Sequence, residues 1–356
     1  MGGAQTHVLE LARALMRDGH ALMVLVGGRG EFTEVLARER VPFTSLPSLR
    51  RAASPWHDTR AMLELLAALR AFQPELLSTH SSKACMLGGL AARTLGIPSL
   101  MTAHGWLLRP VAQSGPQRVL RSASWLMARL ATRTVCVSHY DQALALAHNL
   151  YPSADALPVV HNAVADVPEA CRATPSGTPP GIVTVTRLSP PKDVDTLLAA
   201  LAGLRALPWT LEIIGDGPDR AACEAAIDRL GLHDRVVLAG TRDDVAQRLA
   251  AAQLFVLSSR REGFPITVVE AMRAGLPVIA SDVGGIGEAV AHGETGALVP
   301  AGDVPAMRDA LRGLLEDPAA RERCGAAGRA RYEAAFGFEQ HYARIWAVYV
   351  ATIDGA

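Results

Sequence analysis

Two glutamates, Glu262 and Glu270, flank Pro265 in the stretch 258–288, SSRREGFPITVVEAMRAGLPVIASDVGGIGE. An apolar strand, Leu254–Leu257, runs into a polar loop, and Pro265 then falls in the first turn of a predicted helix. Proline fits there because the first helical N–H groups have no internal partner. Those N–H groups, with the helix dipole behind them, form an anion site. Two ionised acceptors beside it suit a ligand carrying both negative charge and hydroxyl groups. Glu270, inside the helix, reads first as a surface ion-pair partner at this point.

The elements that must position these groups alternate along the second half of the chain. Strands GIVTVTRL, WTLEIIG, RVVLAG, LFVLS, PVIAS and ALVP are separated by helical patterns over 195–207, Arg220–Leu230, 243–252, the stretch after Pro265 and 286–291. Helices over Val304–Glu316, 319–336 and 339–353 close the chain. The first half alternates in the same way. A helix carrying Val8, Leu11, Ala12 and Leu15 at helical spacing ends at Gly19, and ALMVLVGG follows as a strand. Strands VPFTSLP, ELLSTH, SLMTAHG, TVCVS and LPVVHNA then separate helices over 31–40, 58–72, Ser82–Leu95, 118–131 and 140–150. Such alternation predicts an α/β fold of two doubly wound, Rossmann-like domains facing each other, with a linker in the Pro/Gly/Ser-rich segment 166–181. In these sheets ligands bind outside the carboxyl ends of the strands, so the interdomain cleft is the expected site.

One feature of the pattern is irregular. A glycine pair ahead of a helix, Gly2-Gly3, normally makes the tight turn after a strand. Only Met1 precedes it, so either the coding sequence begins upstream or the first domain lacks a strand near its centre.

Strand-end polar residues converge by the same rule. Arg187 and Lys192 follow the first strand of the second half, Gly215-Asp216-Gly217-Pro218 the next, and residues 262–267 follow LFVLS. Two cations, a glycine turn and a helix N-terminus make a pyrophosphate pocket. Asp216 also suits the turn for its own sake. In the first half His80 and His104 end strands that point to the same cleft, where a histidine bonded to backbone is the competing reading.

With these residues in place, the chain resembles the retaining glycosyltransferases of the family-4 type, which have the GT-B fold. EGFPITVVE, Glu262 to Glu270, is similar to that family's acid–seven residues–acid motif and continues into AMRAGLPVIASDVGG. TRLSPPKDVDTLLAAL resembles its Arg…Lys phosphate element, and LEIIGDGPDR, GETGALVPAGD, GGAQTHVLELARAL, THSSKA, TAHGW, VSHYD and VVHNAV also fit. The resemblance covers nearly the whole chain.

It implies a hexosyltransferase-type enzyme with an acceptor-binding domain over 1–165 and a nucleotide-sugar-binding domain over 182–337, the helix in 338–356 crossing back to the first. By position, Arg187 and Lys192 would bind the donor pyrophosphate and stabilise the departing nucleoside diphosphate in place of a metal ion. Backbone near Ile266, Thr267 and Val268 would assist, with Gly263, Phe264 and Pro265 shaping the loop and Gly215 and Gly217 the neighbouring turn. Glu270 would accept from ribose hydroxyls and Glu262 from sugar hydroxyls. His104 would sit over the donor sugar, and Gly2 and Gly3 would admit phosphate or acceptor close to the backbone. No metal or other cofactor is expected. The substrates would be a nucleotide-diphosphate sugar, a UDP-sugar foremost, and a glycan or lipid-pyrophosphate-linked acceptor in polysaccharide or glycolipid synthesis. Asn162-Ala163 stands where the family often has Asn-Gly, so no role is assigned to Asn162.

Composition bounds the alternatives. Acidic and basic residues number 35 each, but 16 basic against 10 acidic residues lie before Asp166, and 19 against 25 after Ala165. The basic first half reads either as drift between domains or as a surface for an anionic partner. Only Lys83 and Lys192 are lysines, which makes Lys192 at a motif position more informative. Between Arg109 and Arg133 there are five arginines and no acid, with Leu120, Ala123, Leu126, Met127 and Leu130 as an apolar stripe and Trp125 beside it. That helix either packs on its own sheet with arginines outward or rests on anionic membrane. Five scattered cysteines without a CxxC pair suggest reduced thiols and a cytoplasmic enzyme, peripheral at most at the inner membrane face. No nucleic-acid partner is indicated. A sugar-nucleotide epimerase and a non-catalytic nucleotide-sugar binder are the competing readings. Hydrolysis by the paired acids is disfavoured because Glu270 is placed at the ribose. A dinucleotide dehydrogenase is disfavoured because no GxGxxG follows a first strand.

Overall fold

The computed structural model describes residues 2–50, 52–106, 108 and 115–355, which fall into two compact units, 1–161 with 341–356, and 162–340. In chain order the elements of the first are α1 Gly3–Arg17, β1 Val24–Gly27, α2 Glu31–Arg38, β2 Phe43–Leu46, α3 Pro55–Phe72, β3 Leu77–Thr79, α4 Ser82–Leu95, β4 Ser99–Ala103, α5 Gly115–Leu130, β5 Arg133–Cys136 and α6 His139–Ala147. The second contains β6 Gly181–Val185, α7 Val194–Ala202, β7 Thr210–Ile214, α8 Arg220–Leu230, β8 Val236–Gly240, α9 Val245–Ala251, β9 Leu254–Leu257, α10 Ile266–Arg273, β10 Val278–Ser281, α11 Ile286–Ala289, β11 Gly296–Val299, α12 Val304–Glu316 and α13 Pro318–Ala335. The final helix, α14 Phe338–Asp354, belongs to the first unit from His341 onward.

The second unit is a six-stranded parallel sheet in the order β11-β10-β9-β6-β7-β8. Numbered within the unit this is 6-5-4-1-2-3, the doubly wound order, and the winding reverses between β6 and β9. β9 and β10 are buried along their whole length, as strands covered by helices on both faces must be. Leu197, Leu198 and Leu201 of α7 pack with Ile213, Leu254 and Leu311 in one core, each at most 1% exposed. Each such side chain contributes roughly 1.5–3 kcal/mol of burial.

The first unit carries two parallel sheets, β1-β2 and β3-β4-β5. Among the described residues β1 and β3 each keep one edge unpaired.

Several local expectations change. LPVVHNA contributes a single bridge, Cys136 with Val159, rather than a strand. Pro265 is the N-cap of α10, in extended backbone, so the helix opens at Ile266. The segment 166–181 is packed on the second unit rather than hanging free. The fully buried Arg321 guanidinium donates to the carbonyls of Pro175, Gly177, Leu314 and Leu315, and Arg329 forks onto Asp166. A buried arginine keeps its charge only where its donors are met in this way.

Candidate functional site

The carboxyl ends of β6 and β9 flank the reversal of the second sheet, and the loops leaving them carry the charged groups. After β6 the chain passes Arg187 and reaches Lys192; after β9 it passes Ser259 and reaches Glu262 and α10. An antiparallel bridge between Lys192 and Ser259 ties the two loops together, with Asp193 N–H donating to Ser258 O and Arg260 N–H to Pro191 O. The reversal point thus becomes one rigid polar surface rather than two independent loops.

On it Lys192 Nζ donates to Glu262 Oε1 at 2.5 Å, and Ser259 Oγ donates to the same oxygen at 2.5 Å. The side chains of Lys192 and Glu262 are 19% and 11% exposed, and Ser259 is fully buried. Ser259 N–H in turn bonds Ser281 Oγ on β10. Arg187 is exposed and has no ion pair among the described residues, so its charge is available to a ligand. The Gly215–Gly217 turn stands behind it. At Gly215, φ +127°, a Cβ would overlap the carbonyl oxygen of Thr186, and at Gly217 that of Leu188. The two glycines therefore let the turn lie against the backbone that carries Arg187. Arg187's loop is further closed by Leu188 N–H to Asp216 O and Asp219 N–H to Leu188 O.

The Glu262–Val268 loop is held from both sides. Asn162 Nδ2 donates to the Phe264 carbonyl at 2.8 Å in a buried contact. Gly284, φ +62°, lies so close that a Cβ would overlap the Glu262 carbonyl oxygen, while Gly285 N–H donates to Gly263 O. Phe264 is buried with its ring 5.4 Å from that of Phe336. Ile266 and Val268 are buried, whereas Thr267 and Glu270 are partly exposed on the opening turns of α10. The first turn of that helix has N–H groups without intrahelical acceptors.

In the first unit the strand-end histidines do not stand alone. His80 Nδ1 and His104 Nε2 are 3.2 Å apart, and the ring of the buried His7, from α1, lies 5.3 Å from that of His80 and 5.0 Å from that of His104. His341 of α14 packs 5.1 Å from His7, and its Nδ1–H donates to His161 O at 2.8 Å. Burial first, and neighbouring imidazoles second, push His80 down to about 3 and His104 down to about 4. Burial likewise lowers His7 and takes His341 down to about 4. All four rings are neutral near pH 7. Behind His104, Gly105 takes φ +126°, and the buried Asp141 carboxylate accepts from Trp106 N–H and Ser138 Oγ, which fixes the turn.

Gly2 is the N-cap of α1 with φ −124°, and a Cβ on it would meet no crowding atom. Gly2 and Gly3 are exposed, and at Gly2 the backbone imposes no need for glycine. The helix predicted around Trp125 is α5; Arg109 lies outside the described residues. Leu126 is 43% exposed rather than part of the buried stripe, beside exposed Val119 and Trp125. Arg118, Arg121 and Arg129 share this outer surface, Arg129 over the Trp125 ring. Arg133 instead belongs to β5 and donates to Ala351 O.

Two family models divide the chain between them. Glycosyltransferase Family 4 matches residues 1–166, and Glycosyl transferases group 1 matches residues 170–331. The chain belongs to the family-4 glycosyltransferases. An exopolysaccharide phosphotransferase of Streptomyces coelicolor is 35% identical over 64% of this chain, but the match spans only 26% of that protein's length. A UDP-Gal:alpha-D-GlcNAc-diphosphoundecaprenol alpha-1,3-galactosyltransferase of Escherichia coli is 25% identical over 89% of this chain and 86% of its own. The solved structure of Anabaena HepE with UDP-glucose superposes with a TM-score of 0.82 at 22% identity, covering 99% of this chain and 96% of that one. That likeness establishes the GT-B fold.

In this family-4 glycosyltransferase the second unit brings together Arg187, Lys192, Glu262 and the opening of α10, with Glu270 further along the same helix. Four contributors escape a reading of the sequence. Asn162 and Gly284 position the Glu262 loop from 100 residues before it and about 20 after it, and Ser259 orients Glu262 itself. His7 joins the histidines from α1. Its only local signal is its place on the helix face shared with Leu11 and Ala14, both buried.

Proposed function

We propose that this glycosyltransferase transfers a sugar from a UDP-sugar, with retention of anomeric configuration and without a metal ion, to a glycan or lipid-linked acceptor in cell-surface polysaccharide or glycolipid synthesis. One observation carries the reading: Arg187, Lys192, Glu262 and the N-terminus of α10 gather at the carboxyl ends of β6 and β9, where the sheet reverses. Arg187 and Lys192 take the donor pyrophosphate, and the N–H groups of Ile266, Thr267 and Val268 add the helix end to it. Lys192 exchanges Glu262 for phosphate, which frees Glu262 to accept from sugar hydroxyls while Ser259 keeps it in place. Glu270 accepts from the ribose. The acceptor hydroxyl attacks the anomeric carbon from the side of the departing diphosphate. That bond to oxygen forms as the anomeric bond to phosphate breaks, and the leaving phosphate takes the acceptor proton. His104, neutral and held at the end of β4, orients the sugar.

The names of the Escherichia coli and Anabaena proteins support a uridine nucleotide, and the former a lipid-diphosphate-linked acceptor. The exposed surface of α5, with three arginines, Val119, Trp125 and Leu126, suits peripheral contact with an anionic membrane at the cytoplasmic face. No helix among the described residues is long and apolar enough to cross a membrane.

The test is UDP release from a panel of nucleotide sugars, with and without glycan and lipid-linked acceptors. Acceptor-dependent release supports the proposal. Conversion of the donor without any acceptor makes the chain an epimerase, and binding without transfer or hydrolysis makes it a binding protein.

A further inference from the structure

The histidine cluster has a geometry that sugar binding does not require. His7, His80 and His104 each offer a ring nitrogen, and the three atoms lie within 4.8 Å of one another. The closest pair, His80 Nδ1 and His104 Nε2, is 3.2 Å apart. Two nitrogens bound to one tetrahedral zinc at about 2.0–2.1 Å stand roughly 3.3 Å apart. His7 is 2% exposed, and its Nε2 is buried with no hydrogen-bond partner among the described residues. A buried ring nitrogen without a partner is costly unless something else meets it.

The surroundings orient the His80 ring as a ligand needs. Ser78 Oγ lies 3.0 Å from His80 Nε2 and accepts in addition from the Tyr349 hydroxyl at 3.4 Å. With Nε2–H donating to Ser78, the His80 Nδ1 lone pair faces His104 Nε2. An outer hydrogen bond that fixes tautomer and ring direction in this way is the usual support of a metal-bound histidine. The ligand atoms gathered here are all imidazole nitrogens, with no carboxylate among them. Three nitrogen ligands select Zn²⁺, Co²⁺ or Ni²⁺ over Mg²⁺ and Ca²⁺, which take oxygen.

We propose that His7, His80 and His104 form a binding site for a divalent transition-metal ion of the Zn²⁺ class within the first unit. The fourth position is open to water or another donor. The ion supplies none of the transfer chemistry, although His104 is also the residue that the proposed function sets beside the sugar.

Metal uptake is measured with no donor present, so its result leaves the transfer proposal untouched. Zinc is titrated calorimetrically into chelator-treated full-length protein, and zinc-edge X-ray absorption is recorded on the loaded wild type. The expected result is one Zn²⁺ per chain, with imidazole nitrogen scatterers at about 2.0 Å. His7→Ala and His80→Ala weaken binding by at least about 100-fold, and Ser78→Ala, which keeps every ligand, by about 10–100-fold. His148→Ala, outside the cluster, binds as wild type, and Mg²⁺ does not bind at this site. Absence of stoichiometric zinc in the wild type overturns the proposal. So does an absorption spectrum without imidazole scattering, or affinity unchanged in His7→Ala and His80→Ala. The absorption measurement needs no variant and decides the matter even if a substitution unfolds the chain.

Discussion

Lys192 Nζ and Glu262 Oε1 meet at 2.5 Å, two residues from different strand ends of one sheet joined across its point of reversal. The pair sets a cation beside an anion, and Ser259 donates to the same Glu262 oxygen, so in the proposed function Glu262 keeps a partner when the lysine turns to phosphate. If the proposed function holds, Lys192→Ala removes a charge that stabilises the departing diphosphate, while Ser259 still donates to Glu262. UDP release is therefore expected to fall by about 10²–10³-fold, while the thermal midpoint moves by only a few degrees. Equal losses in turnover and in stability would make Lys192 a structural residue.

In the proposed function Glu270 acts on the ground state rather than the leaving group. Its replacement by alanine then removes a carboxylate acceptor for the ribose, a loss of roughly 1.5–3 kcal/mol, or about 10–150-fold in the dissociation constant for UDP. Calorimetric titration of UDP into Glu270→Ala checks this. Affinity equal to wild type would remove Glu270 from the ribose.

Gly284 tests whether the loop is positioned from behind. At φ +62°, against the Glu262 carbonyl, an alanine must displace the segment that presents Glu262. Gly284→Ala is expected to weaken donor binding at least as much as Glu262→Ala, although residue 284 offers the ligand no side chain. Wild-type binding by a folded Gly284→Ala protein would show the clamp to be unimportant. Asn162→Ala provides a second check, since it strips a donor from the buried Phe264 carbonyl at a cost of about 1–3 kcal/mol in stability.

Acid stability follows from the second unit's outer surface. The Arg329 fork holds the Asp166 carboxyl down at about 2, below the ordinary value of about 3.9. A carboxyl lowered in the folded chain stabilises it above the unfolded value, and that contribution is lost as pH falls through the folded one. The loss accordingly runs from about pH 4 down to about pH 2. Asp166 is half-exposed, so the effect is modest. In Asp166→Asn the thermal midpoint is expected to fall less steeply across that window than in wild type. Identical slopes would assign the acid limb to other groups.

These residues also show what a sequence discloses and what it does not. The strand ends carrying Arg187, Lys192 and Glu262 were legible because parallel sheets project their loops to one side, so neighbours in the sheet need not be neighbours in the chain. Helix and strand alternation marked both units because buried strands are apolar runs bounded by breakers. The segment 157–163 has the same apolar composition yet forms only one bridge, since pairing depends on a neighbouring edge and not on composition. Gly215 and Gly217 read as a phosphate cradle; in the fold they seat the turn against Thr186 and Leu188, a close approach that no local pattern reveals. Gly2 and Gly3 fit the family motif, but the backbone at Gly2 makes no demand for glycine. His7 and His341 meet from helices at opposite ends of the chain, a juxtaposition that only the folded unit creates.

The central claim is that Arg187 and Lys192 hold a nucleoside diphosphate without a metal ion. Its most direct test is calorimetric titration of UDP in excess EDTA into wild type, Arg187→Ala and Lys192→Ala. Saturable one-to-one binding by the wild type, weakened in both variants, is the predicted result. Binding that appears only when Mg²⁺ or Mn²⁺ is restored, or that is unchanged in both variants, would contradict the account.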